Sequence, residues 1–164
     1  LQFESEHEVD LLNDFLIYDW PEDNQTLIQK YTQKYEAINK VERDTLAAAL
    51  KAYSSLFEVI TLDASRNLVF LEDLLHPDSP EVELTDIGFS RSMVPGVILF
   101  VRILPMPGFN MSSGGPMAFS PIEISGVELP EKTDFASPHA SARRFQFFFN
   151  LQRQVGIEIE TATV

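Results

Sequence analysis

Carboxylates are the residues of this chain best suited to chemistry. Asp19, Glu22 and Asp23 surround Trp20-Pro21, and paired carboxylates perform acid–base work when their surroundings drive their pKa values apart. With a bound divalent ion, such a group would make a metal-dependent hydrolase. The same residues also suit a plainer duty, ending one helix and favouring the N-terminus of the next through its dipole. Glu4, Glu6, His7, Glu8 and Asp10 are a second acidic cluster with hard-metal ligand types. A terminal run of charges is ordinarily solvated, so no metal and no cofactor is assigned from sequence.

Other chemistries fit less well. There are three histidines, His7, His76 and His139, and no two have the i, i+4 spacing of zinc ligands on one helix. Gly88-Phe89-Ser90-Arg91-Ser92 approaches a nucleophile elbow but ends in Ser where that motif requires Gly. Ser112-Ser113-Gly114-Gly115 lacks the Lys-Ser/Thr of a P-loop and the spacing of a dinucleotide fingerprint; it reads as a hairpin tip. The chain has no cysteine, which removes thiol catalysis, cysteine–zinc sites, Fe–S clusters and disulfides together and fits a cytoplasmic setting.

Charge narrows the partners. The 164 residues carry 25 acids and 12 bases, a net charge of −13. Residues 1–134 hold 23 acids and nine bases, while residues 135–164 hold two acids and three bases. An acidic body repels phosphate backbones, so direct nucleic-acid binding is not expected. A basic protein partner is the complementary expectation, and solubility alone is the plain explanation of the charge. Arg143, Arg144 and Arg153 are expected to pair with the acidic body; a phosphate or carboxylate contact is the functional alternative. Trp20, Phe109 and Met111 are the residues expected to touch a partner, against ordinary packing in core or loop. Met106 and Met117 share that adaptable, methionine-rich neighbourhood. A homo-oligomer stays open.

The elements that must position these residues can be read from periodicity. Val9, Leu11, Leu12, Phe15, Leu16 and Tyr18 predict a helix over Glu8–Tyr18, stopped before Trp20-Pro21. Asn24 or Thr26 caps a second helix carrying Leu27, Ile28, Tyr31, Tyr35 and Ile38. Asn39 with Glu42 three residues on starts a third. Short β-rich runs follow: Leu56–Leu62, Leu68–Leu71, Val82–Leu84 and Val97–Leu104, with Asp63–Asn67 as a hairpin loop. Val97–Leu104 is almost wholly apolar, so it should be central and covered on both faces. Arg102 interrupts it and needs a carboxylate partner or a path to solvent. Met111, Met117 and Phe119 read as one further strand. Residues 120–136 read as a surface connection, and Ser137-Pro138 opens a final helix bearing Ala142, Phe145, Phe148, Phe149 and Leu151. Ile157–Val164 reads as a short strand or ordered tail.

The expected fold is α+β: short N-terminal helices over 1–55, a small antiparallel barrel-like sheet over 56–136, and a C-terminal helix and tail over 137–164 packed on it as one compact unit. No apolar run approaches the roughly 20 residues that span a bilayer, and the acidic N-terminus does not read as a signal peptide, so no membrane contact is expected.

The order of these pieces resembles a family of uncharacterised bacterial proteins often associated with a SEC-C metal-binding motif. The matching residues include Asn13-Asp14-Phe15-Leu16-Ile17-Tyr18-Asp19, Ser54-Ser55-Leu56-Phe57-Glu58-Val59, Leu71-Glu72-Asp73-Leu74-Leu75 and Val94–Ile103. The likeness covers roughly residues 10–119. It implies a bacterial protein and no catalytic residue. The SEC-C motif itself requires cysteine, so no zinc ligand carries over.

From sequence, the leading reading is therefore a non-enzymatic interaction or regulatory module. Its alternatives are a carboxylate-based hydrolase around Asp19, Glu22 and Asp23, and an acidic mimic of nucleic acid that blocks a basic protein.

Overall fold

The structure is a computed structural model and describes residues 5–129 and 138–157. Helix α1 (Glu6–Tyr18) starts where the Ser5 side chain accepts from the Glu8 amide, with Glu6 and Glu8 in its first turn. Helix α2 (Leu27–Lys34) is capped by Thr26, whose amide donates to the Gln29 side chain. Helix α3 (Lys40–Lys51) begins as expected, with Asn39 accepting from the Glu42 amide at 2.9 Å. α2 stops at Lys34 rather than continuing through Tyr35 and Ile38. Tyr35 turns to extended backbone there, and Glu42 accepts from both the Tyr35 hydroxyl and the Ile38 amide.

The sheet closes on itself. Strands β1 (Tyr53–Asp63), β2 (Leu68–Asp73), β3 (Val82–Thr85), β4 (Ile98–Met106) and β5 (Phe109–Ser112) form a five-stranded barrel in the order β1-β2-β3-β5-β4, and β4 returns to β1. Every pairing but one is antiparallel; β3 and β5 meet in parallel at Leu84–Asn110. β1 is long enough to serve two neighbours. Its first half pairs with β4 and its second half with β2, with an irregularity at Ile60. Asn67 (φ 58°) turns the β1–β2 hairpin and Gly108 (φ 90°) the β4–β5 hairpin, both in the left-handed region those residue types tolerate. The stretch around Met111 and Phe119 makes two strands rather than one. β5 and β6 (Met117–Phe119) pair with successive parts of one edge of β4.

Two cores lie on opposite sides of the β1–β4 wall, because alternate residues of a strand face opposite ways. Phe57, Val59, Leu99, Val101 and Ile103 fill the barrel with Val69, Leu71 and Leu84. Phe89, which opens the short helix α4 (Phe89–Ser92), and Met93, which follows it, join that core. Leu56, Ile98 and Phe100 instead face outward, into a second core with Leu11 and Phe15 of α1 and Phe145 and Phe148 of α6 (Pro138–Val155). β4 is thus covered on both faces, which explains its apolar run on either side of Arg102. Residues 120–129 are not all connection. Ser120 caps a short helix α5 (Pro121–Ser125) in a capping box with Glu123. The expected cap at Ser137 and the tail beyond Ile157 lie outside the described residues.

Phe148 joins α6 to the barrel. It is fully buried, stacks on Phe100 at 4.3 Å and meets Phe119 at 6.2 Å. Phe148→Ala should cost about 3–5 kcal/mol in urea unfolding, whereas Phe149→Ala, which removes a half-buried ring, should cost less.

Candidate functional site

Arg102 follows Phe100 on the outward face of β4, so the strand's alternation delivers a guanidinium into the layer between barrel and helices. Its side chain is only 3% exposed. Nε donates to Asp14 at 2.9 Å and Nη2 donates to Asp19. Tyr18 lies against the cation, with its ring centroid 4.5 Å from the guanidinium carbon. Asp14 reaches this point because Leu11, Asp14, Phe15 and Tyr18 share one face of α1 at i, i+3, i+4 and i+7 spacing. Asp19 is the C-cap of α1, its amide bonded to the Phe15 carbonyl.

α6 completes the cluster with the same device. Ser141, Arg144, Phe145 and Phe148 share one buried face, and Phe145 stacks on Phe15 at 4.5 Å. The Ser141 hydroxyl donates to the second oxygen of Asp19. Arg144 is buried while Arg143 is exposed, so the adjacent arginines split between core and solvent. Arg153, one of the cations expected to meet the acidic body, donates from Nε and Nη2 to Glu8, both at 2.8 Å.

A pocket of about 120 Å³ opens beside this cluster, lined by Arg102, Arg144, Asp19, Ser141, Ser54 and Tyr18 among others. Burial opposes the charge on Arg102, yet Asp19 and Asp14 hold its pKa above the ordinary value. Burial pushes the Asp19 carboxyl up, with Arg102 and Ser141 pulling it back only in part. Burial likewise raises Tyr18, helped by Asp14, and lowers Arg144 against the pull of Asp19 and Asp73.

The structure does not bring the three carboxylates of the hydrolase reading together. Asp19 is fully buried on Arg102, whereas Glu22 and Asp23 are exposed and turn to Lys30, at 2.5 and 3.7 Å. The Lys30 hydrogen bond and charge lower the Glu22 carboxyl. Ser55, Asp73 and His76 have the residue types of a catalytic triad but the wrong order. Asp73 sits between the others, accepting from Ser55 Oγ at 2.7 Å and lying 3.2 Å from His76 Nδ1, so no imidazole faces the hydroxyl. Asp73 also accepts from the Leu75 and His76 amides, which makes it the organiser of that turn. Ser90 is buried and donates to the Ile87 carbonyl; Ser112 donates to Asp86. Among the described residues no group of three or more His, Asp or Glu side chains is placed to hold a metal ion, and no helix is long and apolar enough to cross a membrane.

Of the three expected contact residues, Trp20 is half exposed in the helical layer, with its ring 5.9 Å from Phe15. Phe109 and Met111 instead share the exposed face of β5.

The model of a family of unknown function (DUF7986) matches residues 1–162. The chain belongs to that family. No curated protein and no solved structure matches it significantly. Membership in DUF7986 agrees with the expectation of an uncharacterised family; the SEC-C association rests on the residue resemblance alone.

The raised Asp19 carboxyl has a signed consequence. The folded state holds this proton more tightly than the unfolded chain, so its contribution to stability falls as pH rises through the window above the ordinary carboxylate range. Asp19→Asn removes that dependence. In urea titrations at stepped pH, the stability of the natural protein relative to the variant should decline as pH rises through that window. A constant difference would contradict the assignment.

Proposed function

We propose that this protein is a non-enzymatic interaction module of the bacterial cytoplasm that docks a basic protein segment on the outer face of β2, β3 and β5. One observation carries the reading: Glu58 and Glu72 stand directly opposite each other on β1 and β2. Like charges opposed across a sheet are destabilising, and nearby cations from a partner would relieve them.

The surroundings of that pair support it. Phe70 is opposite Glu83, next in line on the same outward face. Glu83 and Phe109 precede the Leu84–Asn110 contact on their strands, and the Asn110 side chain donates to the Glu83 carbonyl. Phe109 and Met111, both exposed, extend the face with apolar surface. A sheet face with interleaved carboxylates and apolar side chains suits a strand or helix carrying Lys or Arg beside apolar residues. The mixture also separates docking from mimicry of a nucleic acid, which needs carboxylates alone. Trp20 is a second contact point in the helical layer.

The reading makes a paired prediction for Glu72→Lys. Turning a like-charge pair into an opposite one should raise stability by about 0.2–1 kcal/mol, while partner capture by a photo-crosslinker at Met111 falls. Binding should survive high salt if the apolar residues share the load, and be lost there if charge alone carries it. A partner whose capture at Met111 is unchanged by Glu72→Lys would contradict the proposal.

A further inference from the structure

We infer that the pocket between the helices and the β1–β4 wall is a binding site for a small oxyanion, a carboxylate or a phosphate, held by Arg102 and Ser54. Three observations carry this, and none depends on the docking face.

The first is an incomplete donor. Arg102 spends Nε on Asp14 and Nη2 on Asp19, and among the described residues Nη1 donates to nothing. Nη1 is not sealed from solvent, so it is left available to an acceptor that enters the pocket.

The second is an orphan hydroxyl beside it. Ser54 is 2% exposed, its Oγ has no hydrogen-bond partner, and it lines the same pocket. Ser54 and Arg102 are direct cross-strand partners on β1 and β4. Their side chains therefore leave the wall on the same side, next to each other. Two adjacent donors beside one cavity are placed to share one acceptor.

The third is the chemistry and size of the cavity. Its lining includes the guanidinium groups of Arg102 and Arg144 and the carboxylate of Asp19, with hydroxyls from Tyr18, Thr26 and Ser141. Planar guanidinium N–H groups match the oxygens of a carboxylate or phosphate. The volume, about 120 Å³, is near that of an engineered cavity of about 150 Å³ that takes benzene, so roughly half a dozen heavy atoms fit.

The test uses acetate, malonate and inorganic phosphate as probes, each titrated into the whole chain at constant ionic strength, with calorimetry and thermal unfolding as readouts. At least one probe should bind saturably and raise the unfolding temperature, and the one that binds best separates a carboxylate site from a phosphate site. Ser54→Ala should weaken that binding about tenfold, the scale of one hydrogen bond to a charged group. The variant should fold at least as stably as the natural chain, because it removes a hydroxyl that has no partner. Absence of saturable binding by all three probes, or equal binding by Ser54→Ala, would overturn the inference.

Discussion

A buried arginine sets the terms for the rest of this structure. Arg102 sits in the middle of the strand that walls both cores, and removing its charge from water costs several kcal/mol unless other charges meet it. Asp14 and Asp19 do so from the end of α1, and Ser141 ties Asp19 to α6. One network therefore fixes the first helix, the central strand and the last helix relative to one another. Apolar packing alone would tolerate small slides between these layers. An ion pair with defined geometry does not.

The upward shift of Asp19 fits that role. Burial outweighs what Arg102 and Ser141 return to the carboxyl, so the network costs stability as well as supplying it. What it contributes is a specified arrangement, with the phenylalanines of α6 providing much of the cohesion. Phe145 on Phe15 and Phe148 on Phe100 are stacked pairs in the same layer as the ionic cluster. The barrel interior, closed by β4 returning to β1, is a separate apolar unit behind the same wall.

Much of this was legible in sequence, and the parts that were not share a cause. The helix starts at Thr26 and Asn39 were readable because capping is local chemistry. Arg102 announced that it needed a carboxylate because it interrupts an apolar strand. Its partners stayed hidden: Asp14 stands among the apolar residues of α1 at the spacing of the buried face, and Ser141 and Arg144 do the same on α6. A polar residue on an apolar stripe was the available signal. Asp19 was singled out for acid–base chemistry with Glu22 and Asp23, but the turn at Pro21 sends the latter two to solvent and Lys30. A barrel-like sheet was legible, but the pairings that close it were not. Closure depends on β1 pairing with two strands and on one parallel contact between β3 and β5, which are long-range events without a local signature.

The most direct test of this account is a double-mutant cycle on Arg102→Met and Asp19→Ala, read by urea unfolding at neutral pH. Arg102→Met leaves the Asp14 and Asp19 carboxylates without their cation and should cost about 3–5 kcal/mol. Adding Asp19→Ala should then cost nothing further or return part of that loss, because it removes one of the stranded charges. A double variant whose cost equals the sum of the two singles would show that the residues act independently, and that the buried arginine is not the constraint on which the arrangement depends.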